Sequence, residues 1–478
     1  MDFTPNDYAE WRLRCGVLPM LREEAERPPE HLLQTIWHHQ RLRREEFTTL
    51  DGRRLHVLHP GFLNREAGPD FLRAVLQFEG EPAQTCDVEV DLLSSGWRSH
   101  GHDRNPAFRK VALHVVWESD TPGSLPTLAL RPHLDAPLED LVLWLGSDPA
   151  QTFPGALAGA CSAPLRGLEP ARLTELLRQA ALVRLRSKAA QFQARARQAG
   201  WEQALWEGIF RALGYKHNAW PMQRLAELRA RLRPAEARSS LLGLQARLLG
   251  TAGLLPSDLA RGRTAAAGYV RQLWDLWWRE LEAFRDCTMP RSLWRFSGLR
   301  PANHPERRLA LAAHWLHAGD LPVRLERWCR ALPDSGSPAA LLDVLQVEPD
   351  DFWSWHWTLR SKRLPGPQPL LGAARATDLA VNAVLPWLWV RAVEGRNETL
   401  QSALERCYLQ WPASDDNAVL RLARQRLLGQ AAPWVFRHAA SQQGLLQMVR
   451  DFCEYSNALC THCRFPELVS GWATPVPV

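Results

Sequence analysis

The chain has 478 residues, of which 46% are hydrophobic and 23% charged, and carries a formal net charge of +6. That is the balance of a soluble globular protein too long for one ordinary core. No apolar run reaches the roughly eighteen residues of a membrane span, and the start lacks a basic stretch followed by an apolar one, so neither a membrane partner nor a secretory leader is expected. A cytoplasmic protein follows, its nine cysteines read as thiols or metal ligands rather than disulfides.

In chain order, "PPEHLLQTIWHHQRLR" predicts a helix entered after Pro28-Pro29, with Leu32, Leu33, Ile36 and Trp37 as its apolar stripe. "TTLDGRRLHVLHPG" reads as a hairpin-like passage turning at Asp51-Gly52, with Leu55, Val57 and His59 alternating beyond it. "DFLRAVLQFEG" is a strand with Leu72, Ala74, Leu76 and Phe78 on one face. "TCDVEVDLL" is the next, with Cys86, Val88, Val90 and Leu92 on one side and Asp87, Glu89 and Asp91 on the other. After "SSGWRSHGHDRNP" come a short helical stretch and then "KVALHVVWE", an apolar run typical of a buried strand.

The segment from about residue 146 to 170 is rich in Gly, Pro and Ala and reads as a boundary. Beyond it the pattern is helical and tryptophan-rich, with no repeat that persists at solenoid spacing. The fold class is therefore α+β: a mixed α/β domain over residues 1–150, then a large irregular all-helical domain over residues 165–478. Charge divides similarly, residues 1–160 being net acidic and the remainder net basic and rich in arginine. Such a division suits a nucleic acid held by the helical part; the plainer alternative is arginines on solvated helix faces, leaving a protein as the partner.

Three acids on one strand face repel one another unless water or a cation bathes them. Gly68-Pro69 places Asp70 at the start of the preceding strand, within reach of Glu89 and Asp91. Carboxylates so arranged form a site for Mg²⁺ or Mn²⁺, and a solvated strand edge is the competing account. His100 and His102 follow at the spacing of an H-x-H pair, suited to a metal or to proton transfer, although polar-loop histidines are commonly surface residues. His114 reads as a hydrogen-bonded core histidine, and His59, before Pro60-Gly61, as structural. Near the end, Cys453, Cys460 and Cys463 carry a C-x2-C knuckle with a third cysteine upstream, suited to Zn²⁺ or an iron–sulfur cluster; Cys161, Cys407 and His462 are candidates for the fourth ligand. Three reduced thiols are the plainer alternative.

An acid at a strand start, about twenty residues before a strand bearing a second acid, within helix–three strands–helix–strand, resembles the PD-(D/E)xK nuclease superfamily. The resemblance implies a nuclease-like N-terminal domain in which Asp70 and Glu89 hold the metal. Asp91 then stands where that pattern has lysine, with Lys110 as a substitute cation. "LLQTIWHHQ", "HPGFLNREAGPDF", "VEVDLLSSGWRSHGHDRNPAFRKVALHVVWE", "IFRALGYKHNAWPMQRLA", "RPANHPERRLALAA", "TDLAVNAVLP" and "CTHC" resemble the bacterial domain-of-unknown-function family 2851 over nearly the whole chain. The expectation is a metal-dependent nuclease hydrolysing DNA or RNA, with Asp70, Glu89, Asp91, His100 and His102 as catalytic residues. The alternative is an inactive nuclease-fold scaffold binding nucleic acid or a protein.

Overall fold

The computed structural model describes residues 6–14, 28, 30–44, 47–64, 67–138, 141, 159–215, 217–233, 240–258, 265–296, 299–332, 337–414, 416, 418–429, 437–453, 460 and 463–473. Contacts divide the chain into two compact units, Met1–Ser187 with Asp416–Val478, and Lys188–Asp415. This division is not the one at residues 150–165 expected from composition. The Gly/Pro-rich segment lies largely outside the described residues, and the cut between the units falls inside a single long helix, Pro170–Ala199.

The first unit holds the sheet. Helix α1 (Asp7–Arg14) and helix α2 (Glu30–His39) precede strands β1 (Leu55–His59), β2 (Phe62–Leu63), β3 (Phe71–Phe78), β4 (Gln84–Leu93), β5 (Val111–Glu118) and β6 (Thr127–Ala129). Their order is β1-β3-β4-β5-β6, with β2 also beside β3. β3 runs antiparallel to β1, β2 and β4, whereas β4, β5 and β6 are parallel. A parallel pair needs a crossover. Here residues 94–110 supply it, with a short helix α3 (Gly96–Ser99) and the 3-10 turn Pro106–Phe108. The turn is the helical stretch expected before β5; α3, inside "SSGWRS", had no periodic signal. The mixed α/β character of the N-terminal region is thus present.

α2 buries Leu32, Leu33, Ile36 and Trp37 and packs against β4. Trp37 is wholly buried and its Nε1 donates to the Pro60 carbonyl at 3.0 Å, a burial that contributes on the order of 2 kcal/mol or more. His59 is structural: its Nδ1 accepts the Gly61 N–H at 2.9 Å. In β3 the expected alternation breaks. Phe71 pairs with Val88 and Ala74 with Cys86, so Leu72 and Arg73 together oppose Asp87 alone, and Arg73 adopts φ +58°. This bulge turns Phe71 inward and leaves Leu72 half-buried, in place of the face expected through Leu72. The same unit contains a helical core in which Tyr8 and Trp11 of α1 meet Leu165, Leu176, Leu427 and Phe465.

In the second unit the regular structure is helical. Helix Pro305–Ala318 ends at Gly319, φ +73°, whose N–H returns to the Trp315 carbonyl. The stretch "ATDLAVNAVLPWLWVRAVEG" runs through helix Ala373–Leu379, a π segment Ala380–Val384 and helix Leu385–Glu394. Pro386 provides the reason, since it brings no N–H and crowds the preceding turn. Residues 346–372 carry no helix or strand. They are organised by Arg307, which is fully buried and donates to the carbonyls of Trp353, His356, Gln368 and Pro369. Among the described residues no helix is long and apolar enough to cross a membrane.

Candidate metal centre

The acidic face of β4 is not bathed in water. Asp87, Glu89 and Asp91 are 8%, 6% and 2% exposed, so the account that left them on a solvated strand edge is wrong. Each has a different partner. Asp87 Oδ1 accepts the Arg73 N–H at 2.9 Å, fixing the bulge in β3; its role is to satisfy a backbone donor. Glu89 Oε2 accepts the Asp70 N–H at 3.0 Å. Asp70 in turn accepts from Val90 N–H at 3.2 Å and from Gln34 Nε2 at 3.0 Å.

Asp91 is held at both oxygens. His114 Nε2 lies 2.8 Å from Oδ2 and His100 Nδ1 3.0 Å from Oδ1. β5 pairs His114 with Glu89, which puts its ring on the same side of the sheet as Glu89 and Asp91. Gly96 closes the floor, because a β-carbon there would stand 2.7 Å from Asp91 Cγ; only glycine admits the carboxylate. The crossover returns His102 so that Nε2 is 3.1 Å from Glu89 Oε1. Its ring stacks on Phe108 at 4.1 Å between centroids, and Trp97 packs against both His102 and His114. His100 is 54% exposed and marks the open side.

Burial dominates the electrostatics. It raises the Glu89 carboxyl to about 8, helped by the charge of Asp70. It raises Asp70 to about 6, against the lowering pull of the Val90 and Gln34 hydrogen bonds. Glu30, in the first turn of α2, is also raised, by burial and by the charge of Asp91. Burial lowers His102, which favours a neutral ring able to offer a lone pair. Of these carboxyls only Glu89, raised to about 8, is held mainly protonated at neutral pH.

Among the described residues, Asp91, His100 and His102 form the one set of three His, Cys, Asp or Glu residues whose ligand atoms all lie within 4.8 Å of one another. The expected set of Asp70, Glu89 and Asp91 does not meet that distance. Asp70 and Glu89 flank the trio instead, because the bulge and the Asp70 N–H engage Glu89 from the β3 side. Lys110 does not substitute for a lysine at position 91: it is exposed, between the 3-10 turn and β5, and its carbonyl accepts the Asp87 N–H. Glu30 and Gln34 were missed in the sequence, although an acid and an amide four apart on the polar side of α2 share a helix face. Cys453, Cys460 and Cys463 lie at the helical core of the first unit, half-buried. Cys407 belongs to the second unit, beside Cys329, and His462 lies outside the described residues.

Residues 30–417 match the profile of the family described as "Protein of unknown function (DUF2851)". The chain belongs to the DUF2851 family. The match begins at Glu30 and takes in all of the acidic and histidine residues of the candidate centre, whereas the cysteines at 453–463 lie beyond it. No curated protein matches the chain, and no solved structure matches it.

Proposed function

We propose that this member of the DUF2851 family is a metal-dependent phosphodiesterase acting on DNA or RNA. The observation that carries the reading is the Asp91–His100–His102 trio, running from a buried carboxylate to an exposed imidazole, flanked by two carboxyls, Asp70 and Glu89, whose ionisation burial disfavours. A mixed imidazole and carboxylate set suits Mn²⁺ or Zn²⁺ better than Mg²⁺. When bound, such an ion supplies Lewis acidity and lowers the pKa of water. The remaining work falls to the chain. His114 fixes the orientation of Asp91, as partners of metal-binding carboxylates do. Glu89 and His102 stand close enough to pass a proton between them, and His100 lies at the exposed entrance. The order α2, three antiparallel strands, crossover, β5, with Asp70 leading β3 and Glu89 in β4, supports the likeness to the PD-(D/E)xK nucleases. Arginines of the helical part would hold the phosphate backbone.

A second reading, an inactive nuclease-like scaffold for nucleic acid or a protein, draws on Asp91. An acid engaged by two histidines replaces the lysine of the nuclease pattern, and Lys110 is exposed. The deciding experiment is cleavage of labelled single- and double-stranded DNA and RNA with Mn²⁺, Zn²⁺ or Mg²⁺. Activity should fall at least about 100-fold in Asp91→Asn and in His102→Ala. Binding by those variants should persist and weaken with salt by about 0.9 log units per log unit for each phosphate neutralised on duplex DNA. Binding without cleavage by the unaltered chain would select the scaffold.

A further inference from the structure

Four cysteines distant in sequence lie together in the first unit. Cys161 is buried in the helical core, and Cys453 and Cys463 pack against that core. Arg426 joins Cys161 to Cys460. Its Nη2 donates to the Cys460 sulfur at 3.0 Å. Its carbonyl accepts the Gly159 N–H at 2.7 Å, and a β-carbon on Gly159 would stand 3.4 Å from both Arg426 Nε and the Cys161 sulfur. The guanidinium is thus flanked by thiols from two distant stretches of chain. The Cys463 N–H donates to the Cys460 carbonyl at 3.3 Å, which holds the two cysteines of the C-x2-C pair close. Cys460 takes φ +62°, a left-handed conformation that costs a non-glycine residue of order 1 kcal/mol and concentrates at functional sites.

Buried thiols are weak hydrogen-bond donors, and ordinary apolar packing gives no reason to bring four of them onto one arginine. Burial pushes the Cys453 thiol up to about 12, and Cys161 is raised further by burial and by its three neighbours, Cys453, Cys463 and Cys460. We infer that Cys161, Cys453, Cys460 and Cys463 form a four-thiolate centre for a thiophilic metal, with Arg426 as the cation that offsets its negative charge. No three of the sulfurs stand mutually within 4.8 Å, so ligation draws Cys460 and Cys463 closer to Cys161 and Cys453. Zn²⁺ and an iron–sulfur cluster share this ligand chemistry. The centre ties residue 161 to the segment 453–463, and it is independent of the phosphodiesterase reading.

The test uses the full chain purified anaerobically without chelator, with zinc, iron and acid-labile sulfide measured. About one zinc per chain identifies the ion; iron with matching sulfide and visible absorption identifies the cluster. Co²⁺ loaded into metal-free protein should give a thiolate-to-cobalt charge-transfer band, which carboxylate and imidazole ligands do not. Cys161→Ser should reduce bound metal to below about a tenth, while Cys161→His should retain the ion with a weaker band, since three thiolates and an imidazole also form a tetrahedral site. Cys407→Ser and Asp91→Asn should leave the band unchanged. Protein that carries no metal and gives no cobalt band overturns the proposal, as does a Cys161→Ser variant that keeps the full metal content.

Discussion

Two buried charged clusters, one in each unit, are resolved in opposite ways. In the helical unit Arg307 is completely buried, yet each terminal nitrogen of its guanidinium meets carbonyl oxygens of the irregular segment 353–369. Arg308 likewise donates to Leu370 O and Asn303 Oδ1. Burial lowers both guanidinium groups, to about 10, which leaves them charged at any ordinary pH. In the sheet unit Glu89 and Asp91 are buried beside half-buried Asp70 and Glu30, and burial raises Asp70 to about 6 and Glu89 to about 8. Carbonyl dipoles that surround a cation complete a structure. Carboxyls that crowd one another have no such compensation, and burial with mutual repulsion disfavours their charged forms.

The largest expected effect tests the arginine side. Arg307→Met should destabilise the chain by about 4 kcal/mol, because the carbonyls of residues 353–369 lose their donor, as read by urea unfolding of the full chain. Glu89→Gln, by contrast, should be neutral at neutral pH and stabilising by up to about 1 kcal/mol above about pH 8 in the absence of metal, since the amide cannot ionise beside Asp70 and Asp91. Equal losses in the two variants would erase the distinction.

Next comes pH. Folding raises Glu89 from 4.5 to about 8 and Asp70 from 3.8 to about 6. Across that window the folded chain holds protons that the unfolded chain has released. Stability therefore falls as pH rises from about 4 through 8, and the loss is complete above the folded values. The urea midpoint should be lower at pH 8 than at pH 5, and Glu89→Gln should flatten the difference. Mn²⁺ at about 100 times its dissociation constant should restore about 2.7 kcal/mol, more fully at pH 8 than at pH 5. Asp91→Asn with His102→Ala should abolish that gain.

The smallest effect concerns the entrance. His100 is 54% exposed, so His100→Ala should weaken Mn²⁺ binding by about tenfold or less, whereas His102→Ala, whose ring is clamped by Phe108 and Trp97, should weaken it more. Calorimetric titration of the two variants separates them.

Much of the sheet was legible because strand alternation and a buried apolar run are local signals. Asp70, Glu89, Asp91, His100 and His102 were legible as chemistry, though not as a grouping. The bulge at Arg73 is invisible in "FLRAVLQF", since its partner, the Asp87 carboxylate that accepts the Arg73 N–H, lies on the next strand. That bulge, with the fold-back of the crossover, decides that the histidines, and not Asp70, close on Asp91. Glu30 and Gln34 escaped notice because polar residues on an amphipathic helix ordinarily face water. The division into units was illegible for a different reason: the stripes of "NAVLRLARQRLLG" and "GLLQMVRDF" declare that they are buried without declaring against what.

That division has a consequence in time. Residues 416–478 leave the ribosome only after the whole of 188–415 has been made, yet they complete the core that Tyr8, Trp11 and Leu165 begin. The helical unit is an insertion that can fold while its host is still missing a wall. Until then Tyr8, Trp11 and Leu176 can pack only against neighbours such as Leu165 and Leu173, and the face that Leu427, Met448 and Phe465 will cover stays exposed for the length of the insertion's synthesis. Chaperone dependence during translation, more than stability once folded, is where this arrangement should tell.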